Sequence, residues 1–221
     1  MATRFYFNPG SAPDVSPAYS GVWDDTGSSQ RSQITLDTPA NTGNYYKAGS
    51  ESSASAHYEC MFQGVSGPLD SISATLPVVK GAFRCVESAA KADAKLVLVV
   101  RKCDQDGSNP TDICILTDDT EFEDGAYNEA VNRFLSAGDQ ANQSFSQGDR
   151  LILEIGAVFN NTKTDAYTSW IYATNNHATT DLPENDTETT AYNAWFETGD
   201  TFTEASGEPA AIKLGPMFAF A

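Results

Sequence analysis

The groups in this chain that could do chemistry are mostly acids, and their spacing is the first thing to test. The run Asp104-Gln105-Asp106-Gly107-Ser108-Asn109 has the oxygen-rich look of a calcium loop. An EF-hand needs an acid at the twelfth position of that loop, and counting from Asp104 that position is Ile115. A turn joining two strands accounts for the same residues, because Asp, Asn and Gly accept turn backbone geometry. No cofactor is called for; Ca2+ held in a non-EF geometry is the one alternative the loop leaves open.

Carboxylate pairs such as Asp118 with Asp119 and Glu121 with Glu123 invite comparison with glycosidases, which need two acids at a set separation across a cleft. With 30 Asp and Glu in 221 residues such pairs arise by chance, so they identify no catalytic residue. Glu87 and Glu154 stand out because they sit in or at the end of apolar runs, where a half-buried carboxylate paired with Arg84, Arg133 or Arg150 is expected. His57 and His177 are the only histidines, and no GxSxG accompanies them. Neither GxxxxGK[ST] nor GxGxxG occurs. The reading is of a protein that is not an enzyme, with no catalytic and no metal-ligating residues to nominate. Cys60, Cys85, Cys103 and Cys114 form no CxxC pair and lie in or beside strand-like runs, which predicts buried free thiols.

Tyr45 and Tyr46 are the candidate binding residues. They fall in a stretch rich in Gly, Asn and Ser, where no strand period predicts their burial, and tyrosines in a polar loop suit contact with a glycan or a protein. Covering the edge of a sheet is the competing role. Trp23, Trp170 and Trp195 sit in strand-like context and are expected in the core.

The elements that must position these residues are strands. Tyr58, Cys60 and Phe62 alternate with polar residues along His57 to Gln63, and Phe83 and Cys85 oppose Arg84 along Gly81 to Val86. Leu96 to Val100 is apolar on both faces, as a central buried strand is; Leu151, Leu153 and Ile155 form one inward face. Tyr127, Val131 and Phe134 have helical spacing, giving at most one short helix near residues 126–135. Many short strands between Gly, Pro, Asn and Asp turns predict an all-β chain, an antiparallel β-sandwich of jelly-roll type. Residues 1–204 make that domain. Residues 205–221 form a C-terminal apolar extension whose Ile212, Leu214, Met217, Phe218 and Phe220 are expected to pack on a neighbour, or as a further edge strand.

Charge bounds the partners. The net charge of −17 repels phosphate backbones and anionic membranes at long range, so neither nucleic acid nor membrane is expected as a partner. Between Lys163 and Lys213 there is no Lys or Arg, and the bland explanation of the acid there is a solvated face. The N-terminal residues lack the apolar segment of a secretory signal, which predicts synthesis in a cytosol.

Several phrases resemble, in order from residue 4 to about residue 203, a family of tailed-bacteriophage virion proteins with a jelly-roll or lectin-like sandwich. They are Arg4-Phe5-Tyr6-Phe7, then Ser16-Pro17-Ala18-Tyr19 and Trp23-Asp24, then Phe62 to Leu69, Glu87-Ser88 and Asn132-Arg133. Gly148-Asp149-Arg150-Leu151-Ile152-Leu153-Glu154-Ile155-Gly156 follows, and Asp181 to Thr187 with Asn193-Ala194-Trp195-Phe196-Glu197 closes the series. Ala194 stands where the family has Pro, and the chain continues past the family's last strand. The resemblance implies a structural virion protein made and assembled in the bacterial host cytoplasm, with other capsid or tail proteins as partners and a homo-oligomer, such as a trimer, as its state. Within that class an outer capsid decoration or cement protein is the first reading. A tail or fibre component binding host-surface glycans is the alternative, and a sandwich-fold glycoside hydrolase comes third.

Overall fold

A computed structural model describes residues 2–37, 46–51, 55–70, 72–74, 78–138, 143–160, 166–174, 180–186 and 192–205. Tyr45 and the five apolar residues Ile212, Leu214, Met217, Phe218 and Phe220 lie outside these residues. The strands are β1 (Thr3–Asn8), β2 (Gln30–Thr35), β3 (Tyr46–Glu51), β4 (His57–Ser66), β5 (Ile72–Ala74), β6 (Val78–Glu87) and β7 (Lys95–Cys103). They continue as β8 (Thr111–Glu121), β9 (Val131–Gly138), β10 (Gln143–Phe145), β11 (Arg150–Phe159), β12 (Tyr167–Tyr172) and β13 (Trp195–Thr198).

Eleven of these strands form one sheet, in the order β3-β12-β6-β13-β1-β2-β4-β11-β7-β8, with β9 on the other edge of β6; β5 and β10 form a separate pair. β1 joins the two halves, pairing with β13 through Thr3 to Phe5 and with β2 through Tyr6 to Asn8. The sheet therefore folds over on itself as a sandwich. β12 and β13 lie end to end along one edge of β6, Tyr172 opposite Arg84 and Trp195 opposite Ala82. Every described pair in the main sheet is antiparallel except β2 with β4, which is parallel.

Between the layers lie Phe5, Phe7, Phe62, Phe83, Leu98, Leu153, Ile155 and Phe196, all essentially inaccessible to solvent. β7 is buried on both faces: Leu96, Leu98 and Val100 point to this core, while Val97 and Val99 pack under Trp23 with Cys60 and Val158. The segment around Tyr19, Val22 and Trp23 covers that outer surface.

One expectation needs correction. The pairing of β11 with β4 shifts between Ile155 and Gly156, so that Ile155 faces Phe62 but Gly156 faces Cys60, leaving Met61 as the extra residue of a bulge. Phe62 and Met61 both enter the main core, and Cys60 does not share a face with Phe62. The one short helical stretch allowed near 126–135 is a single 3-10 turn at Tyr127–Glu129, after which the chain enters β9. The eight-residue ladder from Val131 opposite Cys85 to Gly138 opposite Val78 satisfies that backbone, and such pairing outweighs a weak helical period.

Candidate functional site

The outer surface of the layer containing β6 carries a row of side chains in register across four strands. Tyr46 on β3 faces Tyr172 on β12, Tyr172 faces Arg84 on β6, and Arg84 faces Asn132 on β9. Period two explains the row: Ile171 and Cys85, the intervening residues, point into the core, so Tyr172 and Arg84 point out. The next outward row contains Trp170 opposite Val86, packed with Ala130 and Tyr172.

Aromatic rings dominate this surface. The Tyr172 ring is buried beneath Tyr46, with centroids 5.1 Å apart, while Tyr46 stacks beside Tyr127 at 6.2 Å and 28° between planes. The Tyr172 hydroxyl donates to the Tyr127 carbonyl oxygen and ties the 3-10 turn to the sheet. Burial pushes that hydroxyl up to about 12, so it stays protonated as a donor. Tyr46 and Tyr127 remain 42% and 54% exposed, and with Ile115 they are the large hydrophobic residues most open to solvent among the described residues. The buried Tyr172 ring thus supports Tyr46, and its hydroxyl holds the turn that carries Tyr127.

At the far end of the row, Asn132 is fully buried and its Nδ2 donates to the Asn185 carbonyl at 2.6 Å. The Phe134 backbone N–H donates to Asp186 Oδ1 at 2.7 Å. The segment Pro183–Asp186 thus walls one side of the surface. Between wall and tyrosines lies Arg84, its Cζ 4.8 Å from the Tyr172 ring centroid and its Nε donating to the Ala130 carbonyl at 3.3 Å.

Tyr46 lies on an exposed aromatic surface, at the first position of an edge strand rather than in a loop. Trp170 is half-buried on this outer surface and not in the core, whereas Trp23 and Trp195 are buried. Tyr127, Tyr172 and Arg84 were not nominated from sequence. The alternation Trp170-Ile171-Tyr172, which puts two aromatics on the face opposite a core isoleucine, was the available signal.

The acids do something different from what their sequence context predicts. Glu154 pairs with Arg101, Nη1 to Oε1 at 2.8 Å, and not with Arg84, Arg133 or Arg150. It also accepts from Trp23 Nε1 at 2.6 Å, Gln63 Nε2 at 2.9 Å and the Ser20 backbone N–H at 3.1 Å. Four donors around one carboxylate take up its acceptor sites, and the cluster fastens the N-terminal segment to β11 and β7. Glu87 has no cation beside it. Its Oε2 accepts from the Ala94 N–H at 2.9 Å, its Oε1 has no hydrogen-bond partner, and burial first, then Glu121, Asp93 and Asp124, pushes it up to about 7.

An open hollow of about 460 Å³ nearby is lined by Asp93, Lys95, Asp119, Thr120, Glu121 and Asn160. Glu121 is pushed above its ordinary range, first by a hydrogen bond with Asp93. In the 104–109 turn, Asp104 Oδ2 accepts from Asn109 Nδ2 at 2.7 Å and Asp106 Oδ1 accepts from the Ser108 N–H at 2.9 Å, so one oxygen of each acid holds the turn. Among the described residues no group of three or more His, Cys, Asp or Glu is placed to hold a metal ion, and no helix is long and apolar enough to cross a membrane.

No family model and no curated protein matches the chain. Among solved structures it is similar to an alpha-amino acid ester hydrolase, at 8% identity and a TM-score of 0.47 over 79% of this chain and 34% of that one. It is also similar to a CocE/NonD family hydrolase from Staphylococcus aureus, at 10% identity and 0.45 over 90% and 36%. A third likeness is to the Eiger TNF of S. frugiperda, at 11% and 0.27 over 83% and 98%. The chain spans about a third of the length of the two hydrolases. Likenesses this distant carry no argument about activity or partners.

Proposed function

We propose that this chain is a non-catalytic binding component of a tailed-phage particle, and that it holds a saccharide of the host surface on the Tyr46–Tyr127 platform. The observation that carries the reading is the geometry of that platform. Two exposed rings stack at 6.2 Å with 28° between their planes, and Tyr46 is seated on the buried Tyr172 ring, so apolar ring surface is presented to solvent with less freedom than exposed side chains usually keep. The apolar face of a pyranose ring stacks on such a surface. The virion part of the proposal rests on the ordered phrases that resemble phage structural proteins.

A glycan-binding screen with the intact chain and with Tyr127→Ala tests the binding. Retention of one or more glycans by the intact chain and loss of at least tenfold in affinity in Y127A is the expected result. No retention on any glycan sinks the saccharide reading.

Capsid decoration, the first reading of the sequence, places the same fold on the head with the platform against a neighbouring virion protein. Imaging of particles carrying a labelled chain separates the two: label on the tail supports glycan binding at the host surface, and label over the head supports decoration.

A further inference from the structure

We infer that the saccharide taken by this surface is acidic, bearing a carboxylate or sulfate that Arg84 receives; the inference rests on the reading of the surface as a saccharide platform.

Arg84 is the reason. Its residue is only 7% exposed, yet no carboxylate among the described residues pairs with it. Arg4, Arg101, Arg133 and Arg150 each have such a partner, and Arg31 is covered by Tyr19 and bonded to the Pro17 carbonyl. A buried charge is ordinarily paired, because desolvation without a counter-charge is costly. Burial accordingly draws the guanidinium below its ordinary value, with only the Tyr172 and Cys85 groups acting the other way. Its Nε is used by Ala130, but neither Nη has an acceptor among the described residues, and neither is sealed from solvent without a partner. Those two nitrogens are the fork that binds an oxyanion with two parallel hydrogen bonds.

Position supports the same conclusion. Arg84 is two strands from Tyr46 along the registered row, about 10 Å at the usual strand spacing, a length that a disaccharide spans. One sugar ring would then stack on the tyrosines while the oxyanion of its neighbour reaches Arg84. The chain's net charge of −17 argues against general attraction of polyanions, so the contact is local.

The test uses the full chain on a glycan array carrying uronic acid, sialic acid and sulfated oligosaccharides, each beside its carboxyl-reduced or desulfated counterpart. Bound pairs are then titrated by calorimetry at two salt concentrations. The expected result is a preference of about tenfold to a hundredfold for the acidic member, the size of one charge-assisted hydrogen-bonding contact. Which acid is preferred identifies the source of the oxyanion. Affinity should not fall steeply with salt, because a single sheltered contact is screened little while the long-range repulsion is screened most.

In Arg84→Met, which keeps the stem packed on Tyr172, the preference for the acidic member should vanish. If R84M does not fold by near-ultraviolet circular dichroism, Arg84→Lys replaces it and should lose most of the preference, since an ammonium cannot make the paired contact. Equal binding of acidic and neutral members overturns this inference and leaves the platform reading standing. A preference that survives the Arg84 substitution overturns the assignment to Arg84. Failure to bind any glycan takes down the platform reading, and this inference with it.

Discussion

Arg101 and Glu154 meet at 2.8 Å on the outer side of the sheet, where both are sealed beneath the segment that carries Ser20 and Trp23. Arg101 also donates to the Ala18 carbonyl at 2.6 Å and to Asp112, so one buried pair links β7, β8 and β11 to the N-terminal loop. Glu154→Leu removes the acceptor of the Trp23 indole and the buried one of Arg101's two counter-charges, leaving Asp112 beside it. Removing the buried partner of such a pair costs up to about 3–5 kcal/mol. Urea denaturation of E154L should show a midpoint lowered accordingly, and an unchanged midpoint would show that the cluster holds nothing together.

Glu87 makes the fold sensitive to pH in a direction opposite to a salt-bridged acid. Its carboxyl lies at about 7 in the folded chain against 4.5 for an unperturbed group, so between these values the folded chain binds the extra proton. Stability from this group is therefore present below about pH 4.5 and is lost as pH rises through about 7. Glu87→Gln keeps an acceptor for the Ala94 N–H without the charge. The difference in unfolding free energy between E87Q and the parent should grow in favour of E87Q from pH 5 to pH 8; a difference independent of pH refutes the assignment.

Gly156 sits at the bulge, where a Cβ would lie 1.9 Å from the Glu59 carbonyl oxygen and 2.8 Å from the Trp23 ring. The backbone of β4 cannot yield cheaply at that distance. Gly156→Ala should lower the thermal midpoint by an amount equivalent to about 3 kcal/mol or more, beyond ordinary overpacking. A neutral result by calorimetry would mean that the bulge relaxes.

All four cysteines are free and buried. Burial pushes Cys103 up to about 11 and Cys114 up to about 12, and raises Cys60 and Cys85 well above their ordinary value. The thiolate is the reactive form, so the folded chain should resist alkylation at pH 8. After unfolding without reductant, a thiol assay should count four; fewer would show a disulfide.

Tyr127 is 54% exposed and lends only its backbone carbonyl to the Tyr172 hydroxyl. Tyr127→Ala should leave stability within about 0.5 kcal/mol of the parent, as surface changes do. The same variant therefore reads binding loss in the glycan screen free of unfolding, and a collapse in stability would mark the ring as core instead.

The strands themselves were legible in the sequence because alternation is a local property. Leu151, Leu153 and Ile155 face inward and Leu96 to Val100 is buried on both sides, as their patterns require. The turn at 104–109, the four buried thiols and the all-β class follow from the same local chemistry. Other features were decided only at long range. One extra residue at Met61 puts Cys60 and Phe62 on different faces, and no pattern along β4 announces a bulge whose cause is the partner strand. Glu154 looked half-buried beside any of several arginines, and its partner Arg101 is supplied by the strand that happens to pair with β11. The row Tyr46, Tyr172, Arg84 and Asn132 unites residues from four strands remote in sequence, and Tyr127 joins it from a 3-10 turn. Period two says which way a side chain points; which strand lies beside it, and so what it touches, is set by pairing and packing of the whole chain.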